Sequence, residues 1–148
     1  MTSLRPTTYD LRPLRYWLPV IVWSAIILAT SNDLFSSHHT GNIIATLVGR
    51  YLTPEQLDAI NIVFRKTAHL IGYGILGALG FRAARGDERG YATRWAIAGV
   101  LIAIGVASID EWHQTLVPSR GGSVQDVLLD GCGAAAAQLF AAWRNARR

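Results

Sequence analysis

Residues 95–114 read WAIAGVLIAIGVASIDEWHQ. From Trp95 to Ile109 the chain carries no charge, and then Asp110 and Glu111 arrive together. A lipid core takes about 20 residues of helix to cross, and backbone groups that cannot reach water must be satisfied within the helix. The stretch therefore predicts a membrane helix whose polar end emerges near Asp110. Three other stretches read the same way: Tyr16 to Thr30 (YWLPVIVWSAIILAT), Thr67 to Phe81 (TAHLIGYGILGALGF) and Val124 to Trp143. With the flanking residues they borrow, the spans cover about 16–31, 64–82, 95–112 and 124–143.

Composition supports this reading. Of 148 residues, 51% are hydrophobic and 16% charged, against roughly 25% charged in an ordinary soluble domain. Four such runs leave too little polar chain to cover them in water. The net charge of +4 is not gathered into the basic stripe of a nucleic-acid binder. A single cysteine, Cys132, excludes both a disulfide framework and a cysteine zinc site. The expectation is an all-α bundle of four transmembrane helices forming one domain over residues 1–148. Arg5, Arg12 and Arg15, followed by Ala29-Thr30-Ser31, also fit a cleaved leader; the reading adopted keeps the first span.

Ten of the fourteen basic residues lie in the N-terminal arm, the loop after span two and the tail. By the positive-inside rule, those three regions are cytoplasmic. Both termini are thus expected on the cytoplasmic side of the membrane. On the outer side, Thr53-Pro54-Glu55-Gln56 has the pattern of a helix start, with Thr53 as N-cap and Gln56 closing a capping box. A short outer helix is expected to lead into span two. Small residues at four-residue spacing (Gly74 and Ala78; Gly99, Ala103 and Ala107; Gly133, Ala137 and Ala141) let helices approach closely.

Against this apolar background the ionisable residues stand out, since a charge in a span usually faces a protein interior or a watery cavity. Lys66, His69 and Tyr73 fall on one stripe of span two. Span three ends in Asp110, Glu111 and Gln114, Arg120 follows, and span four begins with Asp126 and Asp130 on one face. All except Tyr73 belong to the outer ends of their spans, so distant stretches should meet in one polar site. His69 lies roughly 4.5 Å deeper than Lys66 along its helix. Asp126 also has an ordinary role open to it, closing a capping box with Ser123.

The pattern Arg65-Lys66-Thr67-Ala68-His69-x-x-x-Tyr73, then Asp110-Glu111-x-x-Gln114-x-x-x-Pro118-x-Arg120, then Asp126-x-x-x-Asp130-x-x-Gly133, resembles the VanZ-like membrane protein family. The resemblance extends over about residues 16–143. It implies a small multi-helix protein of the bacterial envelope, and the family's namesake is associated with low-level resistance to teicoplanin, a glycopeptide that binds cell-wall precursors. Some members carry Asp before the motif lysine, where this chain has Arg65.

Lys66, Asp110, Gln114, Arg120 and Asp126 are the expected binding residues for an anionic or polar group of an envelope lipid or wall precursor. His69 is the expected proton carrier, with Glu111 or Asp130 orienting it. No metal signature, Gly-x-Ser-x-Gly elbow or phosphate loop occurs. No cofactor is expected, the alternative being a divalent ion held by the carboxylates and His69. Two classes of function remain: an enzyme acting on an envelope lipid or precursor, or a non-catalytic module in which the cluster binds lipid or only pins helices.

Overall fold

The computed structural model describes residues 14–31, 46, 52–117 and 121–147. The arm carrying Arg5 and Arg12, the polar stretch 32–41, Arg50, Pro118, Arg120 and Arg148 lie outside the described residues. Four helices carry the fold: α1 (Leu14–Thr30), α2 (Pro54–Arg85), α3 (Thr93–Thr115) and α4 (Val124–Ala146). No strand occurs among the described residues. Each of the four apolar runs falls inside one helix, so the all-α expectation holds. By length and composition, α3 alone among the described helices is suited to cross a membrane; α1 is apolar but only 17 residues long.

The start of α2 follows its sequence. Thr53 Oγ1 accepts the Gln56 N–H at 3.4 Å, and Gln56 Oε1 accepts the Thr53 N–H at 2.9 Å, with Pro54 at the first helical position. Each bond satisfies an otherwise orphaned donor. The outer helix expected before span two is not a separate element, because α2 continues unbroken for 32 residues. At 1.5 Å per residue it is roughly 48 Å long, well beyond a lipid core of about 30 Å. It stops at Gly86, whose φ of 60° is a conformation most side chains avoid. Pro19 removes one backbone bond inside α1 without ending it.

Pairwise contacts give the topology. Gly80 packs on Gly99 and Tyr73 reaches Asp110, so α2 and α3 are antiparallel. Lys66 meets Asp126, His69 meets Asp130 and Gly77 meets Ala134, so α2 and α4 descend side by side in the same direction. Trp23 Nε1 donates to the Gly72 carbonyl at 2.9 Å, while Tyr16 and Arg15 bond Asp87, which sets α1 antiparallel to α2. Helix α2 is central and touches all three others.

The interior combines small and polar residues with a few large side chains. Ala103, Ala107 and Ala134 are fully covered, together with Tyr73 and Leu76. At Gly133 a Cβ would run into the Leu70 carbonyl oxygen, so the α2–α4 approach requires glycine there. The stripe on α3 packs as expected. On α2, Gly74 of the expected pair packs against Gly133 whereas Ala78 is exposed, and the buried small residues are Gly77, Gly80 and Ala83. The large apolar side chains point outward: Ile21 and Ile26 on α1, Ile71 and Ile75 on α2, Leu101 and Ile109 on α3, Leu139 and Phe140 on α4. Cys132 is exposed among them.

Candidate functional site

At one end of the bundle the polar residues of three helices pair across helix boundaries. Lys66 Nζ lies 3.4 Å from Asp126 Oδ1, with both side chains partly exposed. One turn deeper, His69 Nδ1 lies 3.4 Å from Asp130 Oδ2, and Asp130 is fully buried. A further turn down, the Tyr73 hydroxyl donates to Asp110 Oδ2 at 3.4 Å, and Asp110 too is fully buried. The stripe of Lys66, His69 and Tyr73 thus becomes three successive rungs, two to α4 and one to α3. The rings of His69 and Tyr73 stack with centroids 6.0 Å apart.

Asp110 Oδ2 also accepts from Gln114 Nε2 at 3.1 Å, and the same amide donates to Ser31 Oγ at 2.8 Å. The network therefore ties α1 to α3 and α2. Asp110 Oδ1 and Asp130 Oδ1 are buried without a hydrogen-bond partner among the described residues. Such oxygens are costly to desolvate. They leave acceptor capacity at the site.

Glu111 faces the α3–α4 connection. Its Oε2 accepts the Ser123 N–H at 2.6 Å. That N–H is the donor an acidic residue at the third position of α4 would accept in a capping box. Asp126 does not do so: Ser123 Oγ accepts from Gln125 at 3.2 Å, and Asp126 turns to Lys66. The capping-box reading of Asp126 is corrected on this point, since Glu111 has already taken the donor. Gly122 makes the approach feasible, because a Cβ there would collide with the Glu111 carbonyl.

Two cavities flank His69. The first, of about 300 Å³, opens between α1 and α2 beside Trp23, Ser31, Arg65, His69, Tyr73 and Asp110. The second, of about 360 Å³, lies among Arg65, Lys66, His69, Glu111, Asp126 and Asp130, with Gln114 behind. Seven of the eight expected site residues therefore meet at one end, and all but Asp110 line the second cavity. Arg120 lies outside the described residues. Asp130 holds Nδ1 of His69, while Nε2 has no hydrogen-bond partner among the described residues. That arrangement can orient an imidazole for proton transfer. No group of three or more His, Cys, Asp or Glu side chains among the described residues is placed to hold a metal ion.

Sequence reasoning missed two site residues. Arg65 borders both cavities and, unlike Lys66, has no acidic partner among the described residues. Its four-residue offset from His69 was the available signal, since such residues share a helix face. Ser31 joins the network through Gln114, and nothing in its local sequence pointed there.

No curated protein and no solved structure matches the chain. A family match covers residues 16–145, the stretch that carries all four helices and every rung of the polar network. The chain belongs to the VanZ/LLP1 family.

Proposed function

We propose that this VanZ-like envelope protein crosses the bacterial inner membrane four times as a single domain, with both termini in the cytoplasm. Its outer polar site binds and modifies an envelope lipid or cell-wall precursor, and thereby alters susceptibility to glycopeptides of the teicoplanin type. The membrane reading is supported by the inverted surface. Many large apolar residues on every helix face outward, while the interior mixes alanine, glycine and polar groups with Tyr73, Leu76, Phe81 and Trp95, and apolar exposure on that scale marks contact with lipid or protein. The orientation rests on the cation bias.

The observation that carries the site is the His69–Asp130 pair standing between two cavities, with the unpaired Arg65 at their rim. Arg65, with Lys66 behind it, attracts an anionic headgroup. His69 exchanges a proton with the bound group through Nε2 while buried Asp130 fixes the ring. Glu111 and Gln114 hold the wall of the cavity, and Asp110 anchors Tyr73 beneath it. No cofactor is required for these roles.

The test expresses the wild type, His69→Gln and Asp130→Asn in a glycopeptide-susceptible bacterium. Teicoplanin susceptibility is measured together with mass spectra of envelope lipids and wall precursors. The wild type is expected to change both, and each variant to lose most of the change while keeping a melting temperature within a few degrees. Full activity in Asp130→Asn overturns the acid–base role.

The cross-helix pairing supports a second reading, in which the cluster binds lipid or only joins the helices. It predicts altered susceptibility with an unchanged molecular profile, and melting temperatures that fall in both variants.

A further inference from the structure

The opposite end of the bundle holds a third cavity, of about 420 Å³, between the lower parts of α2 and α4 and the loop that follows α2. Arg82, Arg85 and Arg144 line it, joined by Tyr91 and Asn145. No carboxylate among the described residues lines it. The nearest acidic residues in sequence, Asp87 and Glu88, are engaged by Arg15 and Tyr16 and by Arg94 respectively. Arg82 and Arg85 instead lie over the rings of Tyr16 and Phe81, and Arg85 Nε is buried without a hydrogen-bond partner. Arg82, Arg85 and Arg144 stand on the walls of one cavity with no carboxylate in its described lining, and an anion entering it relieves the repulsion among them.

The cation bias of this end explains why arginines are present, but not why these three surround a cavity. Arg94 pairs with Glu88 and Arg147 stacks on Trp143, outside the cavity lining. The rest of the wall is apolar: Ala78, Ala137 and Ala141, with Phe140 beside them. Small residues at these positions leave a shallow apolar groove between α2 and α4 beside the arginines. A phosphate fits the guanidinium forks, and a hydrocarbon chain attached to it fits the groove. Free phosphate has no use for the groove.

We propose that this cavity binds the phosphate of an anionic phospholipid, with Arg82, Arg85 and Arg144 on the phosphate and an acyl chain along the alanine-lined wall. Basic pockets between membrane helices on the cytoplasmic side recognise headgroups in this way. The site is separate from the carboxylate cluster and needs only the membrane reading given above, so it can fail while that reading stands.

The experiment uses the full chain in detergent, with native mass spectrometry reading retained lipid. Phosphatidylglycerol is offered against phosphatidylcholine and against oleate, an anionic lipid without phosphate. Wild type is expected to retain phosphatidylglycerol at least about tenfold better than either. Arg82→Gln/Arg144→Gln, both at exposed positions, should lose most of that preference, and Arg85→Gln should lose it as well. Arg147→Gln should keep it. Equal retention of all three lipids by wild type overturns the proposal, as does an Arg82→Gln/Arg144→Gln variant that keeps the full preference. Oleate held as well as phosphatidylglycerol removes the phosphate from it. Displacement of the lipid by inorganic phosphate equally in wild type and Arg82→Gln/Arg144→Gln also overturns it. A parallel flotation of the protein with phosphatidylcholine vesicles reports membrane insertion independently.

Discussion

Gln138 shows what a single buried side chain can cost. It lies on α4 and is buried, and neither its amide nitrogen nor its amide oxygen has a hydrogen-bond partner among the described residues. A buried polar group left unpaired costs about 1–3 kcal/mol, and methionine has similar bulk without that demand. Gln138→Met is expected to raise the melting temperature in detergent, and a fall would mean that the amide is engaged. Asp110 and Asp130 are a different case, since each has one oxygen engaged and one unpartnered at a cavity. The residues that matter at the site were legible because charge is rare in apolar runs. Their partners were not. Whether Asp126 caps its own helix or crosses to Lys66 depends on how α4 is rotated against α2, and one chain read linearly does not contain that angle. Arg65 was overlooked for a related reason: its importance comes from having no partner while its neighbour Lys66 has one.

At the scale of elements, the helices were readable from their ends. Thr53, Pro54 and Gln56 fix the start of α2, and the apolar runs give the bodies of all four. Unbroken helix in place of a short outer segment follows from the absence of any breaker between Pro54 and Gly72, with Leu57, Ile60 and Phe64 keeping helical spacing. Packing was less legible. The four-residue rule picked Gly74, which packs on Gly133, together with the exposed Ala78, while Gly77 and Gly80 face α4 and α3. Close contact at Gly133 makes a sharp test. Gly133→Ala pushes a methyl into the Leu70 carbonyl and is expected to cost about 1–3 kcal/mol of stability. Gly105→Ala meets nothing within 4 Å and should be neutral or stabilising by up to about 1 kcal/mol, through helix propensity alone. Thermal melts of the two variants check the contrast. Equal loss in both would show that the α2–α4 approach is not tight.

Across the whole molecule, the two ends differ in chemistry while sharing one frame. One end gathers carboxylates, an imidazole, Lys66 and Arg65, the last without an acidic partner among the described residues. The other gathers arginines around a groove. Helix α2 links them, roughly 48 Å from Pro54 to Arg85, so a shift of this helix is felt at both. The exposed sulfur of Cys132, the chain's single thiol, sits roughly 12 Å along α4 from its start. Nature has thereby installed a depth gauge. In sealed vesicles a sulfonated, water-confined maleimide should leave it untouched, because the thiolate that reacts does not form in hydrocarbon, and labelling should appear only once the vesicles are dissolved in denaturing detergent. Rapid labelling by the water-confined reagent would mean that this face looks onto solvent instead of hydrocarbon.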